Sequence, residues 1–271
     1  MDENIILRPH KKSHSFLNLD KNENLNTNLK YAKYPDMVYF YEQFEKILGH
    51  KIFFTEGVGG AIKNIFEVLQ PSTVNYDFND YALFPIYEKM YCNEKGPNIK
   101  FIIHPVENIE KCVKEYDYVI IDDAYRYFSP RDWDECLELK NVTICRSFSK
   151  AYGLAGLRIG YVTGQLTEVL RQYRGAYEAN TLSLEHALHA LRNKSEMLEY
   201  VNSCKKTLDI LLKDMSFEYD GFSNSIYSSK IEAYDELIKT KIMVKKFTKR
   251  LRITLAPYEI MKPCIDILSK H

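Results

Sequence analysis

The sequence predicts an α/β protein, with a mostly parallel sheet followed by a second, smaller α+β unit, on three observations. Short apolar runs alternate with helix-periodic stretches from Asp36 to Gly164, the pattern of strands joined by crossover helices. A strand-like run, a glycine-rich turn and an amphipathic helix succeed one another between Lys51 and Leu69. After Gly164 the pattern changes to long helical stretches, short strand candidates and a terminal helix.

Each element follows from its own spacing. A helix is expected over 36–48, where Val38, Phe40, Tyr41, Phe44, Ile47 and Leu48 recur at helical intervals and Gly49 offers a C-cap. The apolar run 51–55 reads as a strand, Gly57-Val-Gly-Gly60 as a turn, and Ile62, Ile65, Phe66 and Leu69 as one face of a helix that Pro71 stops. Further strands are expected over 81–84, 101–103 and 118–121, alternating with helices over 86–93 and 109–115. Beyond Gly164 the expectation is helices over 165–174 and 182–214, and strands over 225–228, 242–244 and 251–255. The division expected is a large α/β domain over 30–164 and a small α+β domain made of 1–29 plus 165–271. No Pro- or Gly-rich linker separates them, so the two should be packed, not tethered.

Composition narrows the function classes. With 271 residues, 45% of them hydrophobic, the chain can bury a sizeable core. Its 37 basic and 37 acidic side chains balance and are distributed along the sequence, which gives no footprint for nucleic acid or an anionic membrane. Residues 1–15 lack the apolar stretch of a secretory signal and no run reaches the length of a membrane span. A cytoplasmic protein with small-molecule partners is expected. Six cysteines are scattered without a CxxC pair, and His186 and His189 share a helix face without a third ligand at metal-site spacing. No metal is expected.

The segment that carries chemistry is Val142-Thr-Ile-Cys-Arg-Ser-Phe-Ser-Lys-Ala-Tyr-Gly-Leu-Ala-Gly-Leu-Arg-Ile-Gly-Tyr161. A strand-like run delivers Ser147, Ser149 and Lys150 into a glycine-punctuated loop, and Arg158 lies on the next apolar segment. A lysine amine held neutral forms a Schiff base with a carbonyl, while hydroxyls and a guanidinium beside it suit a phosphate dianion. Together they describe a site for a phosphate-bearing aldehyde. The competing reading is a buried strand that ends in a surface loop.

This segment resembles the lysine motif of fold-type I pyridoxal-phosphate enzymes, closest to the histidinol-phosphate aminotransferase family. Asn22-Glu-Asn24, Tyr34-Pro-Asp36, Thr55-Glu-Gly-Val-Gly-Gly-Ala61, Pro85-Ile-Tyr87, Ile121-Asp-Asp-Ala-Tyr125 and Leu251-Arg-Ile-Thr254 match in the family's order. The resemblance implies the fold of those transferases, pyridoxal 5′-phosphate as cofactor, and amino transfer between an amino-acid donor such as glutamate and a small oxo acid or oxo-phosphate. It makes Lys150 the Schiff-base lysine and Asp122, at a strand's carboxyl end, the carboxylate that keeps the ring nitrogen protonated. Tyr125 would hydrogen-bond the cofactor's phenolic oxygen and Tyr87 would stack on its ring. Ser147, Ser149, Arg158 and the amides of Gly59 and Gly60 would hold the phosphate. Arg252, with Asn24, would bind the substrate, the arginine gripping its carboxylate. Tyr34 would reach across a homodimer to the neighbouring phosphate. Blander alternatives stand beside these: a helix-capping Asp122, a packed Tyr125, a turn at Tyr34-Pro35 and an exposed strand arginine at 252.

The chain departs from the family in three respects. It is much shorter, and between Tyr87 and Asp122 it lacks the Asn-Pro-x-Asn-Pro-Thr-Gly segment whose asparagine lies beside the tyrosine on the phenolic oxygen; His104-Pro-Val-Glu-Asn108 is what stands there. A large sheet reduced by about one strand and helix is therefore expected, with His104 or Asn108 left to serve for the asparagine. Val58 and Gly59 stand where the family has a hydroxyl residue and an acid. Two other functions stay open on this reading: decarboxylation of a phosphorylated amino acid, and a non-catalytic dimeric binding protein.

Overall fold

A computed structural model describes residues 31, 33–77, 82–105, 107–173, 175 and 177–271. Asn24 and the rest of the segment 1–29 lie outside the described residues. The described residues divide into two compact units, one of those up to Ala124 with Trp133–Arg192, the other of Tyr125–Asp132 with Asn193–His271.

The first unit is built on a six-stranded sheet of β1 (Phe53–Thr55), β2 (Thr73–Asn75), β3 (Asn98–Ile102), β4 (Tyr118–Asp122), β5 (Val142–Ser147) and β6 (Gly160–Gly164). The order is β1-β6-β5-β4-β3-β2. Strands β2 to β5 run parallel and β6 is antiparallel to both its neighbours, so the sheet is mostly parallel, as expected. Successive residues of a strand face opposite sides, and both sides are covered. On one side α2 (Gly57–Leu69), α3 (Phe84–Tyr91) and α5 (Thr167–Tyr173) bury Phe53, Phe101, Ile120, Cys145 and Val162. On the other, α1 (Met37–Leu48) and α6 (Thr181–Arg192) pack around Phe54 and Phe148. Beside them α4 (Ile109–Glu115) and a 3-10 turn at Asp134–Cys136 cover Ile102, Ile121 and Ile144.

The second unit holds the long helix α7 (Lys194–Leu211) and a four-stranded antiparallel sheet. Its strands are β7 (Phe217–Tyr219), β8 (Ser225–Ser228), β9 (Lys245–Lys246) and β10 (Leu251–Thr254) in the order β7-β8-β10-β9, with α8 (Tyr234–Lys239) and α9 (Tyr258–Leu268) completing it. Among the described residues no helix is long and apolar enough to cross a membrane.

Local chemistry explains where elements begin and end. Asp36 caps α1 by accepting from the Tyr39 amide at 3.2 Å, and Gly49 closes it at φ 80°, a conformation glycine adopts without strain. The glycine run 57–60, expected as a turn, is instead the first turn of α2. The strand expected over 81–84 is not one: residue 81 is outside the described set and Phe84 starts α3, with Pro85 in the first turn, where a missing N–H does no harm. The helix expected over 182–214 is broken at Asn193, whose ψ of 48° leaves the helical region, into α6 and α7. Of the strand expected over 242–244, only the following pair Lys245–Lys246 joins the ladder. The contact boundary between the units falls at Arg192: α5 packs on α2 and β1, and α6 packs on α1.

Candidate active site

The register of the first sheet assembles the site. Asp122, the last residue of β4, lies opposite Cys145 of β5. Ser147 lies opposite Gly160 of β6, and Gly160 opposite Thr55 of β1. One row across three strands thus carries the end of β5 to Thr55, two residues before α2. Asp122 shares strand parity with Ile120, and Ser147 with Cys145, so all four side chains face the α2 side. Burial first, then the charges of Asp122 and Asp123, push the Cys145 thiol well above its usual range, in keeping with a carboxylate beside it.

The loop after β5 brings the lysine to the same end. Ser147 Oγ accepts from the Ser149 amide at 2.9 Å, and the Phe148 amide donates to Ile159 O at 3.1 Å, which fixes the turn that carries Lys150. Lys150 is half-buried. Ser149 Oγ is buried and has no hydrogen-bond partner among the described residues. Arg158 takes a left-handed φ of 49° and sends its guanidinium to Glu56 O at 3.2 Å and Ala155 O at 3.4 Å. The first of these carbonyls belongs to the N-cap of α2, so Arg158 stands at that helix's N-terminus. Glycine is required at two places there, at Gly57 by a left-handed φ of 72° and at Gly160 by close backbone packing. A Cβ on Gly57 would come within 3.0 Å of Arg158 Nη2, and one on Gly160 would meet Arg146 O at 2.4 Å and Gly57 Cα at 2.9 Å. The amide of Gly59 lies in the first turn of α2, among those that no intrahelical acceptor serves, that of Gly60 follows it, and Glu56 gives no side-chain cap.

Asp122, Ser147, Ser149, Lys150, Arg158, Gly59 and Gly60 are therefore gathered at the carboxyl ends of β4 and β5 and the N-terminus of α2. Tyr87 lies on the same side of the sheet, half-buried, its ring 5.7 Å from that of Phe66; it and Ala124 border the same core cluster. Tyr34 is exposed and stacks on Tyr177 with ring centroids 4.2 Å apart. Tyr125 and Arg252 belong to the second unit. There Tyr125 meets Phe222 edge-on at 5.9 Å, and Arg252 is an exposed residue of β10 paired with Tyr227 and Lys245. Asn108 does not stand in for the missing asparagine: it caps α4, accepting from the Lys111 amide at 3.0 Å. His104 lies two residues past the carboxyl end of β3, the neighbour of β4.

An ion cluster around the buried Arg146 and Asp123 was not singled out from the sequence. Arg146 of β5 is 2% exposed; its Nε donates to Asp123 Oδ2 at 2.9 Å and its Nη2 to Asp134 Oδ1 at 2.5 Å. The only signal in the sequence was an arginine inside an apolar strand.

A family model described as aminotransferase class I and II matches residues 103–258. Histidinol-phosphate aminotransferase of Pyrococcus furiosus is 30% identical over 158 residues, covering 54% of this chain and 44% of that protein. The histidinol-phosphate aminotransferase of Staphylococcus haemolyticus is 27% identical over 246 residues, 82% of this chain and 70% of that one. The match spans about half the length of the first curated relatives, 44% and 53% for those of Pyrococcus furiosus and Bacillus cereus. Among solved structures, histidinol-phosphate aminotransferase from Sinorhizobium meliloti in complex with pyridoxal-5′-phosphate gives a TM-score of 0.68 at 20% identity over 89% of this chain and 82% of that one. L-threonine-O-3-phosphate decarboxylase from Porphyromonas gingivalis gives 0.70 at 16% identity over 88% and 89%. The fold is thus that of the type I pyridoxal-phosphate transferases, as expected from the sequence.

Proposed function

The chain belongs to the aminotransferase class I and II family, and on that premise we propose that it transfers an amino group from an amino-acid donor, glutamate first among them, to a small oxo acid or oxo-phosphate, with pyridoxal 5′-phosphate held at Lys150. The observation that carries the reading is the meeting of Lys150, Asp122 and the α2 N-terminus at one end of the first sheet. The relatives named above as histidinol-phosphate aminotransferases support it.

The residues present fit the cofactor. Ser149 Oγ is a buried donor left over for a phosphate oxygen. Arg158 is held against the N-terminus of α2, where the helix dipole and open amides favour an anion. Ser147 and the Gly59 and Gly60 amides complete that cradle. When bound, the cofactor supplies an aldehyde for the donor's nitrogen and a ring that draws electron density from the donor's Cα. Asp122 would hold a proton on the ring nitrogen, and the Ala124 amide, donating to its Oδ1 at 3.0 Å, fixes the direction of the carboxylate. Lys150 Nζ, released once the donor's nitrogen has taken its place, would move the proton from the donor's Cα to the carbon that bore the aldehyde. Tyr87 gives the ring an aromatic face. Tyr125 is assigned to the phenolic oxygen, and Arg252 and Asn24 to the substrate, the arginine to its carboxylate. Tyr34 serves the neighbouring site of a homodimer in the cytoplasm, and the division into a large domain over 30–164 and a small one of 1–29 plus 165–271 belongs to the same reading.

Incubation of the purified protein with pyridoxal 5′-phosphate and glutamate is expected to discharge the yellow colour and to release 2-oxoglutarate equimolar with protein. No oxo acid from glutamate or any other amino donor contradicts the proposal. Carbon dioxide released without an oxo acceptor would assign decarboxylation in its place.

A further inference from the structure

We propose that Arg146 is the positioning residue that fixes Asp122, by pinning both stems of the 125–132 segment with one guanidinium; the inference rests on the reading of Asp122 as the carboxylate behind the cofactor ring. The segment Tyr125–Asp132 leaves the first unit after Ala124 and re-enters it at Trp133. Its outgoing stem carries Asp123 and its returning stem Asp134, and both carboxylates bind Arg146. Asp123 and Arg146 have side chains 1% and 3% exposed. Burial works to lower the arginine's proton affinity, but Tyr161, Asp123 and Asp134 outweigh it and hold the guanidinium charged.

Two hydrogen bonds and one chain adjacency link this clamp to the site. The Asp123 amide donates to Cys145 O at 2.9 Å, extending the β4–β5 ladder by one rung. The next amide, of Ala124, donates to Asp122 Oδ1 at 3.0 Å. Arg146 itself precedes Ser147 on β5, pointing to the opposite face, so one side chain ties the end of β4 to the start of the loop that carries Lys150. The distance between the carboxylate and the amine is set by these two strand ends, and the guanidinium spans them from below. Stability does not account for the arrangement, since apolar side chains of similar volume in place of a buried ion pair such as Arg146–Asp123 are often neutral or stabilising, and the Asp134 side chain is 41% exposed, where an ion pair contributes little. A fork that fixes two carboxylates in direction does account for it.

The test replaces the triad by an apolar one, Arg146→Met with Asp123→Leu and Asp134→Leu, which leaves no lone buried charge, alongside Arg146→Lys. Urea unfolding reports whether the apolar variant folds; should it not, Arg146→Lys is read by the same two measurements. In cofactor-free protein the amides at 123 and 124 are expected to exchange with deuterium about tenfold faster than in the parent, with Ile120 unchanged. With pyridoxal 5′-phosphate bound, the glutamate half-reaction is expected to slow by about a hundredfold, the scale of a small misplacement of reacting groups, with Arg146→Lys recovering part of it. Parental exchange at 123 and 124, or a parental half-reaction in a folded variant, overturns the inference. If the parent itself converts no donor, the functional reading fails separately, and the exchange at 123 and 124 decides the positioning role alone.

Discussion

Ser149 presents a hydroxyl that folding leaves unserved: its Oγ is buried without a partner among the described residues. An unsatisfied buried hydroxyl opposes folding by roughly 1–3 kcal/mol. Ser149→Ala should therefore leave cofactor-free protein as stable as the parent or about 1 kcal/mol more so, while weakening its affinity for pyridoxal 5′-phosphate. Urea midpoints with and without cofactor check both halves; a variant that loses stability in the cofactor-free form, or binds the cofactor unchanged, contradicts the assignment. At this scale much of the site was legible in the sequence. Ser147, Ser149, Lys150 and Arg158 announce themselves by spacing within one segment, and Asp122 by its place after an apolar run. Arg146 did not, because its partners stand 23 and 12 residues away and only the fold joins them. Asn108 was misread because a cap and a ligand look alike until the helix behind it is seen.

At the scale of elements, the β9–β10 hairpin is electrostatically unfavourable. Lys245 lies directly across from Arg252, and from Leu237 to Tyr258 there are lysines and arginines but no acid. Like charges opposite one another on a sheet face destabilise it, and opposite charges contribute roughly 0.2–1 kcal/mol. Lys245→Glu is expected to raise stability by a few tenths of a kcal/mol up to about 1, an effect that urea unfolding would show shrinking as salt is added. A neutral or negative effect at low salt would argue against the register. Helices with a strong apolar stripe and a cap, such as α1 after Asp36 and α4 over Ile109–Glu115, were readable from the sequence, as was β8 over Ser225–Ser228. The strand β2 was not, since its three residues are mostly exposed and carry no apolar alternation. The break at Asn193 was hidden because apolar periodicity continues on both sides of it.

For the molecule as a whole, the mostly parallel sheet with helices on both faces places strand ends and a helix N-terminus together, which is where α/β proteins gather ligands. The alternation of short apolar runs with helical stretches made that architecture legible before any motif was weighed. What the pattern did not carry was the exchange of segments between units: Tyr125–Asp132 belongs with the second unit and α5 and α6 with the first. Such assignments depend on which buried faces meet, information spread over residues distant in the chain. The central claim is that one amine, Lys150, holds the cofactor. Borohydride trapping of protein loaded with pyridoxal 5′-phosphate, followed by peptide mass spectrometry, tests it most directly. A single pyridoxyl group on the peptide bearing Lys150, absent after Lys150→Ala, is the result predicted; no trapped group, or one carried by another lysine, would contradict it.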